Sequence, residues 1–278
     1  MRSRGERALC AALAGWFVLL GAAPLHAAGA SDPADAKLTA EDIYSRVLSN
    51  RFREFSQDAR MASGDRTGRV QEARMTIIFK DFRDEKNQPV RGVDSKVLIK
   101  YTHPFDLRHS GYLAIQNAGR VDDHFLYLPS RRRIVRVNLH GKAVFGTDFS
   151  FEDVIPHELE DATYVRLDDT VLDDSPVFVV EAHPTALLDS AYSKFIFYVD
   201  KRRFVPLRVR YFDLAGVEVK ELRTRPQDVQ DFDGVQVPMK ITMRNLLLDS
   251  FTTFEILSFD PNPHLPDSAF DLRRLEQN

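Results

Sequence analysis

The sequence predicts a mainly β protein, an antiparallel sheet of eleven or twelve strands preceded by one helix. Three observations carry this. From about residue 75 onward, apolar residues recur with a period of two. The connections between those runs are short and rich in Asp, Gly, Asn and Pro. A single segment near the N-terminus has helical periodicity instead. Short links join antiparallel neighbours, because parallel strands need crossovers of about a dozen residues or more.

Thr39 precedes Asp42 by three, the spacing of a capping box, and Ile43, Val47, Leu48, Phe52 and Phe55 follow at helical intervals. The spacing predicts an amphipathic helix over 39–56. Residues 57–69 are polar and carry Gly64 and Gly68, which predicts a loop. Strands are predicted over 75–82, 96–101, 112–116, 124–128, 134–139, 164–171, 177–182, 194–199, 204–212, 217–223, 235–244 and 251–259. Turn residues such as Asn117-Ala118-Gly119 and Asp213-Leu214-Ala215-Gly216 separate them. Leu207, Val209 and Tyr211 alternate with Arg208 and Arg210, so one face is expected wet and the other covered. A sheet this long must close, split or wrap around something, and one helix covers little of it. Loops or a cavity must account for the rest.

Residues 1–30 read as a cleavable secretory signal: Arg2, Arg4 and Arg7, then the uncharged run 8–20, then small residues with an Ala28-Gly29-Ala30 site and a cut expected after Ala27. The apolar run falls short of the roughly 20 residues that span a bilayer. Cys10, the single cysteine, lies inside it and lacks the small preceding residue of lipoprotein processing. The mature chain, 31–278, is expected to be one periplasmic domain without disulfide, Cys–metal site or thiol nucleophile. Without Arg2, Arg4, Arg7 and Glu6, the 38 basic and 41 acidic residues become 35 and 40, a net charge of −5. Nothing in that balance points to nucleic acid, and no later segment is apolar enough to span a membrane.

Common catalytic signatures are absent. There is no G-x-S-x-G elbow, no G-x-G-x-x-G and no G-x-x-x-x-G-K. His157-Glu158 begins like a zinc-protease helix, but Asp161 stands where the second His is needed. Asp168-Asp169 and Asp173-Asp174 lack the alternating ligand spacing of a calcium loop. No metal or cofactor is expected.

The most distinctive stretch is Phe125-Leu-Tyr-Leu-Pro-Ser-Arg-Arg-Arg-Ile-Val-Arg-Val137, followed by Phe145-Gly-Thr-Asp-Phe-Ser-Phe-Glu-Asp-Val154. Its four arginines could form an anion site. Alternatively they pair with Asp148, Glu152 and Asp153, pinning the returning loop to the sheet. Ser150 and Asp153 also fit a short capped helical turn that Pro156 ends.

This motif pair resembles that of the periplasmic outer-membrane lipoprotein-sorting (LolA-like) family, and with the closing Leu265-Pro-Asp-Ser-Ala-Phe270 the likeness spans nearly the whole mature chain. Leu128, Pro129, Arg133, Gly146, Asp148, Phe149, Glu152 and Asp153 match, with Arg136 beside them; Phe151 departs where Tyr is common. The resemblance implies an unclosed antiparallel β-barrel of about 11 strands with a helical lid on its concave face. It further implies a carrier, not an enzyme, that takes acyl chains of a lipid or lipoprotein into an apolar cavity. An inner-membrane hydrophobe exporter is the expected partner. Helix 39–56, with Ile43 and Val47, would belong to the lid. Met75, Ile77, Phe79, Val97, Ile99 and Tyr101 from early strands, and Phe195, Phe197, Leu207, Val209 and Tyr211 from late ones, would line the cavity. Two other classes remain: a docking or sensor module for an envelope transporter, and a small enzyme built on Arg133, Arg136, Asp148 and Glu152.

Overall fold

The computed structural model describes residues 35–277 except 139–141, 145, 155–157 and 187–189. The signal at 1–30, Pro156 and His157 lie outside the described residues. The helix, α1, spans Ala40–Ser49. Its start is the predicted box: the Thr39 hydroxyl accepts from the Asp42 N–H at 3.1 Å, and the Asp42 carboxylate accepts from the Thr39 N–H at 2.9 Å. The helix stops short of the predicted residue 56. Asn50 ends it, its side chain exchanging two hydrogen bonds with the backbone of Gln236, 2.9 Å as donor and 2.7 Å as acceptor.

Fifteen strands follow. They are β1 (Glu54–Gly64), β2 (Val70–Asp81), β3 (Val93–His103), β4 (Gly111–Asn117), β5 (Asp123–Leu128) and β6 (Arg133–Arg136), then β7 (Ala162–Leu172), β8 (Ser175–Pro184), β9 (Tyr192–Asp200), β10 (Pro206–Asp213), β11 (Glu218–Arg223), β12 (Val229–Phe232), β13 (Val235–Pro238), β14 (Lys240–Asn245) and β15 (Ser250–Asp260). Residues 57–64, predicted as loop, belong to β1. Its buried side is Gln57, Ala59 and Met61, too small and polar a set to betray a strand, yet β1 pairs along its whole length with β2 and β15. The predicted strand 235–244 is broken after Pro238, whose missing N–H cannot continue a ladder. Its first part forms a separate hairpin with β12, and its second joins the main sheet.

The main sheet is antiparallel and unclosed, in the order β6-β5-β4-β3-β2-β1-β15-β14-β11-β10-β9-β8-β7. It is therefore two meanders set back to back at the β1–β15 seam. Both free edges, β6 and β7, come from the middle of the chain. The segment 137–161, which holds the second half of the distinctive motif, has to carry the chain from one edge to the other.

The main core occupies one face, where α1 packs against β7 and β8. Tyr44 stacks on Tyr164 at 4.6 Å between centroids and meets Phe197 at 5.0 Å. The opposite face is not uniformly wet as expected. The C-terminal segment straps across β3–β5, burying Phe270 and Leu275 against Leu98 and Leu113.

Candidate functional site

Beneath the early half of the sheet lies a cavity of about 400 Å³, within the roughly 300–1,000 Å³ of small-molecule sites. Its sheet wall uses Met75, Ile77 and Phe79 of β2 and Val97, Ile99 and Tyr101 of β3, with Phe55 and Met61 of β1 beside them. Those six positions of β2 and β3 are the ones the alternation assigned. Ile241, Phe254 and Phe259 continue the wall across the seam. Phe55 packs on Phe79 at 5.3 Å and on Phe259 at 5.6 Å, so one end is an aromatic cluster.

Three pieces outside the main sheet partly cover the cavity: Asn50–Phe52 after α1, residues 235–238 of the β12–β13 hairpin, and Val144, Phe149 and Asp153 of the crossover. The helix itself is not the cover. Ile43 and Val47 pack in the main core, and Phe195, Phe197, Val209 and Tyr211 lie in that same cluster, outside the cavity lining. Leu207 is buried but also outside the lining. The rings of Tyr44, Tyr164, Tyr192 and Tyr211 pack together in the late half. The hairpin's covering role had no signal in the strand periodicity. Pro238 and the Asp231–Gly234 turn hint at a hairpin but not at where it folds.

One buried polar group faces this apolar space unpaired. Gln57 lines the cavity at 8% exposure, and its amide makes no hydrogen bond among the described residues. A primary amide offers both a donor and an acceptor to a guest.

The crossover is fixed by its acids, but not through the arginines that the motif pairing anticipated. Asp148, 8% exposed, accepts from Thr252 Oγ1 at 2.8 Å and from the Ser250 hydroxyl, while its own N–H donates to Thr252 Oγ1 at 2.9 Å. Glu152 accepts from the Ser190 hydroxyl and the Ala191 N–H. The Asp153 side chain is fully buried: it accepts from the Ser150 N–H at 2.6 Å, from the Tyr192 O–H at 3.0 Å and from Lys220 Nζ at 2.9 Å. The first of these is the predicted cap of a short helix, α2 (Phe151–Val154). Burial, then the charge of Asp153, hold the Tyr192 hydroxyl well above its ordinary pKa. Arg136 pairs with Asp123 instead, and Arg131, Arg132 and Arg133 are exposed with no ion pair among the described residues. The reason is placement: the β5–β6 turn holds the arginines at the sheet's edge, whereas the crossover docks on β15, β11 and β9.

Leu128 ends β5 and Pro129 opens the turn after it, while Gly146 adopts φ 76°, a left-handed conformation that suits glycine. Phe149 is 2% exposed and lines the cavity. Asp169 pairs with Lys201 at 2.8 Å and with Arg166 at 2.9 Å, which occupies that acid without a cation. Among the described residues no group of three or more His, Cys, Asp or Glu is placed to hold a metal, and no helix is long and apolar enough to cross a membrane.

A protein-family model, described as that of an uncharacterized protein, matches residues 93–277. The fold is also that of solved LolA-like structures. The chain belongs to the family of that model, and its fold is LolA-like. An outer membrane lipoprotein-sorting protein domain from Vibrio parahaemolyticus is 21% identical, with TM-score 0.76 over 85% of this chain and 98% of that one. A DUF1329 family protein from Desulfovibrio piger is 21% identical, with TM-score 0.78 over 88% and 100%. A LolA superfamily protein from Nitrosomonas europaea is 17% identical, with TM-score 0.66 over 85% and 99%. At such identities the likeness is one of fold. No curated protein matches the sequence. In this LolA-like chain the family motif is thus a structural device: it turns the β5–β6 edge and docks the crossover over the cavity.

Proposed function

We propose that this protein is a periplasmic, non-catalytic carrier, a single domain after removal of residues 1–30, that takes acyl chains of a lipid or lipoprotein into the cavity and moves them between envelope membranes. The observation that carries this reading is the cavity itself, apolar on nearly every side and partly covered by segments joined to the sheet through a few polar contacts. Each buried CH₂ contributes about 0.8 kcal/mol, so a sixteen-carbon chain resists water by on the order of 12 kcal/mol. Transfer through water then needs a shielded site. A carrier must offset most of that cost yet still release its cargo, which suits a cover that opens at modest cost. The sorting-protein description of the Vibrio relative supports the cargo class. An inner-membrane hydrophobe exporter would be the donor or acceptor. Gln57 would meet the carbonyl where an acyl chain joins its head.

The test is native mass spectrometry, with solvent extraction, of protein purified from the periplasm without detergent. A reproducible adduct of acyl-chain mass is expected. No adduct, together with no uptake of added lipid or lipopeptide by the extracted protein, would overturn the proposal in favour of a docking module.

A further inference from the structure

The antiparallel register fixes which turns share an end of the sheet. Gly64 pairs with Val70 and with Phe251, Asn245 with Ser250 and with Lys220, and Phe212 with Glu218. On the other side, Arg74 pairs with His103, Lys100 with Gly111 and Leu128 with Arg133. Five connections therefore stand side by side along one rim: 129–132, 104–110, 65–69, 246–249 and 213–217. Most of the exposed large apolar residues of the described chain that sit on turns sit here. Phe105 is 90% exposed, Leu214 75%, and Leu247 and Leu248 67% each, with Leu246, Val217 and Val70 beside them. At the opposite rim their counterparts among the described residues are fewer: Val90, Val121 and Val171.

These side chains do not form a groove. Leu246–Leu248 are consecutive, and a hairpin tip cannot turn three successive side chains into one pocket. The Asn245 side-chain oxygen accepts from the N–H groups of both Leu247 and Leu248, at 3.1 and 3.0 Å, so the protrusion is held in shape. Across these five turns and their flanking residues stand six arginines, Arg66, Arg69, Arg108 and Arg131–Arg133, against five acids, Asp65, Asp106, Asp213, Glu218 and Asp249, a local balance of +1. The whole sequence carries net −3. The arginine run is the part of the distinctive motif that neither the cavity nor the crossover uses.

We propose that this rim is a membrane-docking surface, in which Leu246–Leu248, Leu214 and Phe105 enter the interface of an anionic bilayer while Arg66, Arg69 and Arg131–Arg133 meet its phosphates. A convex apolar tip needs no matching pocket in a fluid interface. Arginines near an anionic surface supply the long-range attraction and fall off with salt. The surface is separate from the cavity wall, so the proposal stands whether or not the cavity carries acyl chains.

Flotation with vesicles tests it, using phosphatidylethanolamine with phosphatidylglycerol against phosphatidylcholine alone, at low and high salt. The mature protein is expected to float with the anionic vesicles, less so at high salt, and scarcely with the neutral ones. Leu247→Ser with Leu248→Ser should weaken binding by about 10-fold or more. Arg131→Gln, Arg132→Gln and Arg133→Gln together should weaken it on the order of 100-fold, about 5-fold for each charge. All five side chains are exposed, so unchanged thermal unfolding would certify the variants. No binding to anionic vesicles, or binding that neither variant reduces, would overturn the proposal. So would leucine-dependent dimerisation without vesicle binding, which would assign the tip to a second copy.

Discussion

The contact between Asp153 and Lys220 ties the crossover to β11, and its energetics can be worked from the structure. The carboxylate is fully buried, the ammonium side chain 14% exposed, and Oδ2 and Nζ stand 2.9 Å apart. At an effective dielectric near 20 their attraction is on the order of 5 kcal/mol before desolvation. Desolvation consumes much of that, so the pair adds little net stability, but removing one partner exposes the cost. Lys220→Met leaves a buried carboxylate held only by the Tyr192 hydroxyl and the Ser150 N–H, an expected loss of about 3 kcal/mol. Asp153→Asn keeps one acceptor, for the Ser150 N–H, turns its NH₂ toward the Tyr192 oxygen, and leaves a lysine that can reach water, an expected loss of about 2 kcal/mol. The double variant should cost less than the sum by at least about 1.5 kcal/mol, measured by urea unfolding with a constant slope. Additivity to within about 0.5 kcal/mol would refute the coupling. It would then leave Asp148, through Ser250 and Thr252, as the crossover's main anchor.

Four further outcomes follow from the same contacts. Burial raises the pKa of Tyr44, Tyr101, Tyr112, Tyr164, Tyr192 and Tyr211 above the ordinary value of 10.0. The unfolded tyrosines ionise first, so stability should hold below about pH 9, then fall steeply through pH 10 and above, as read by urea midpoints and tyrosinate absorbance. A Cβ on Gly111 would stand 2.8 Å from Leu275; Gly111→Val should cost about 1–3 kcal/mol and release the C-terminal strap to protease, whereas intact resistance would mean the strap can shift. Asn50→Ala removes both bonds to Gln236, and should speed amide exchange across 229–238 while leaving β1–β4 protected. Ile77→Trp should fill the cavity and abolish acyl uptake with thermal unfolding little changed; undiminished uptake would place the cargo elsewhere.

Much of the sheet was legible in the sequence because one face of most strands is aliphatic or aromatic and the other charged. Two strands were not legible, β1 and β12, and β1 is the one with the most help from its neighbours. Paired on both sides, it can bury Gln57 and Ala59 and still be held, so its own residues carry no period-two signal. The overlong helix has the mirror-image cause. Phe52 and Phe55 fall at helical spacing, but the Asn50–Gln236 contact turns the chain first, and a contact across 186 positions leaves no local trace. The cavity followed the same division. Its sheet wall came from alternation in β2 and β3, while its cover came from long-range docking of the crossover and the β12–β13 hairpin. The motif acids hold the crossover through hydroxyls and a lone lysine on distant strands, not through the arginines, and such partners have no signature of their own.

The two-meander topology gives those anchors a mechanical meaning. The seam pairs β1 with β15, and the crossover reaches that seam at Thr252, whose hydroxyl also meets Ser63 of β1 at 2.9 Å. Asp148 therefore grips the line where the two halves of the sheet join, while Asp153, five residues on, grips the far half through Lys220. Phe149 lies between these two grips and lines the cavity. Both grips lie on the late half, Asp148 on β15 and Asp153 on β11, so the crossover is held to that half. Motion of the late half against the early half would therefore carry Phe149 relative to the β2–β3 wall of the cavity, whereas a change within the early half would leave both grips undisturbed.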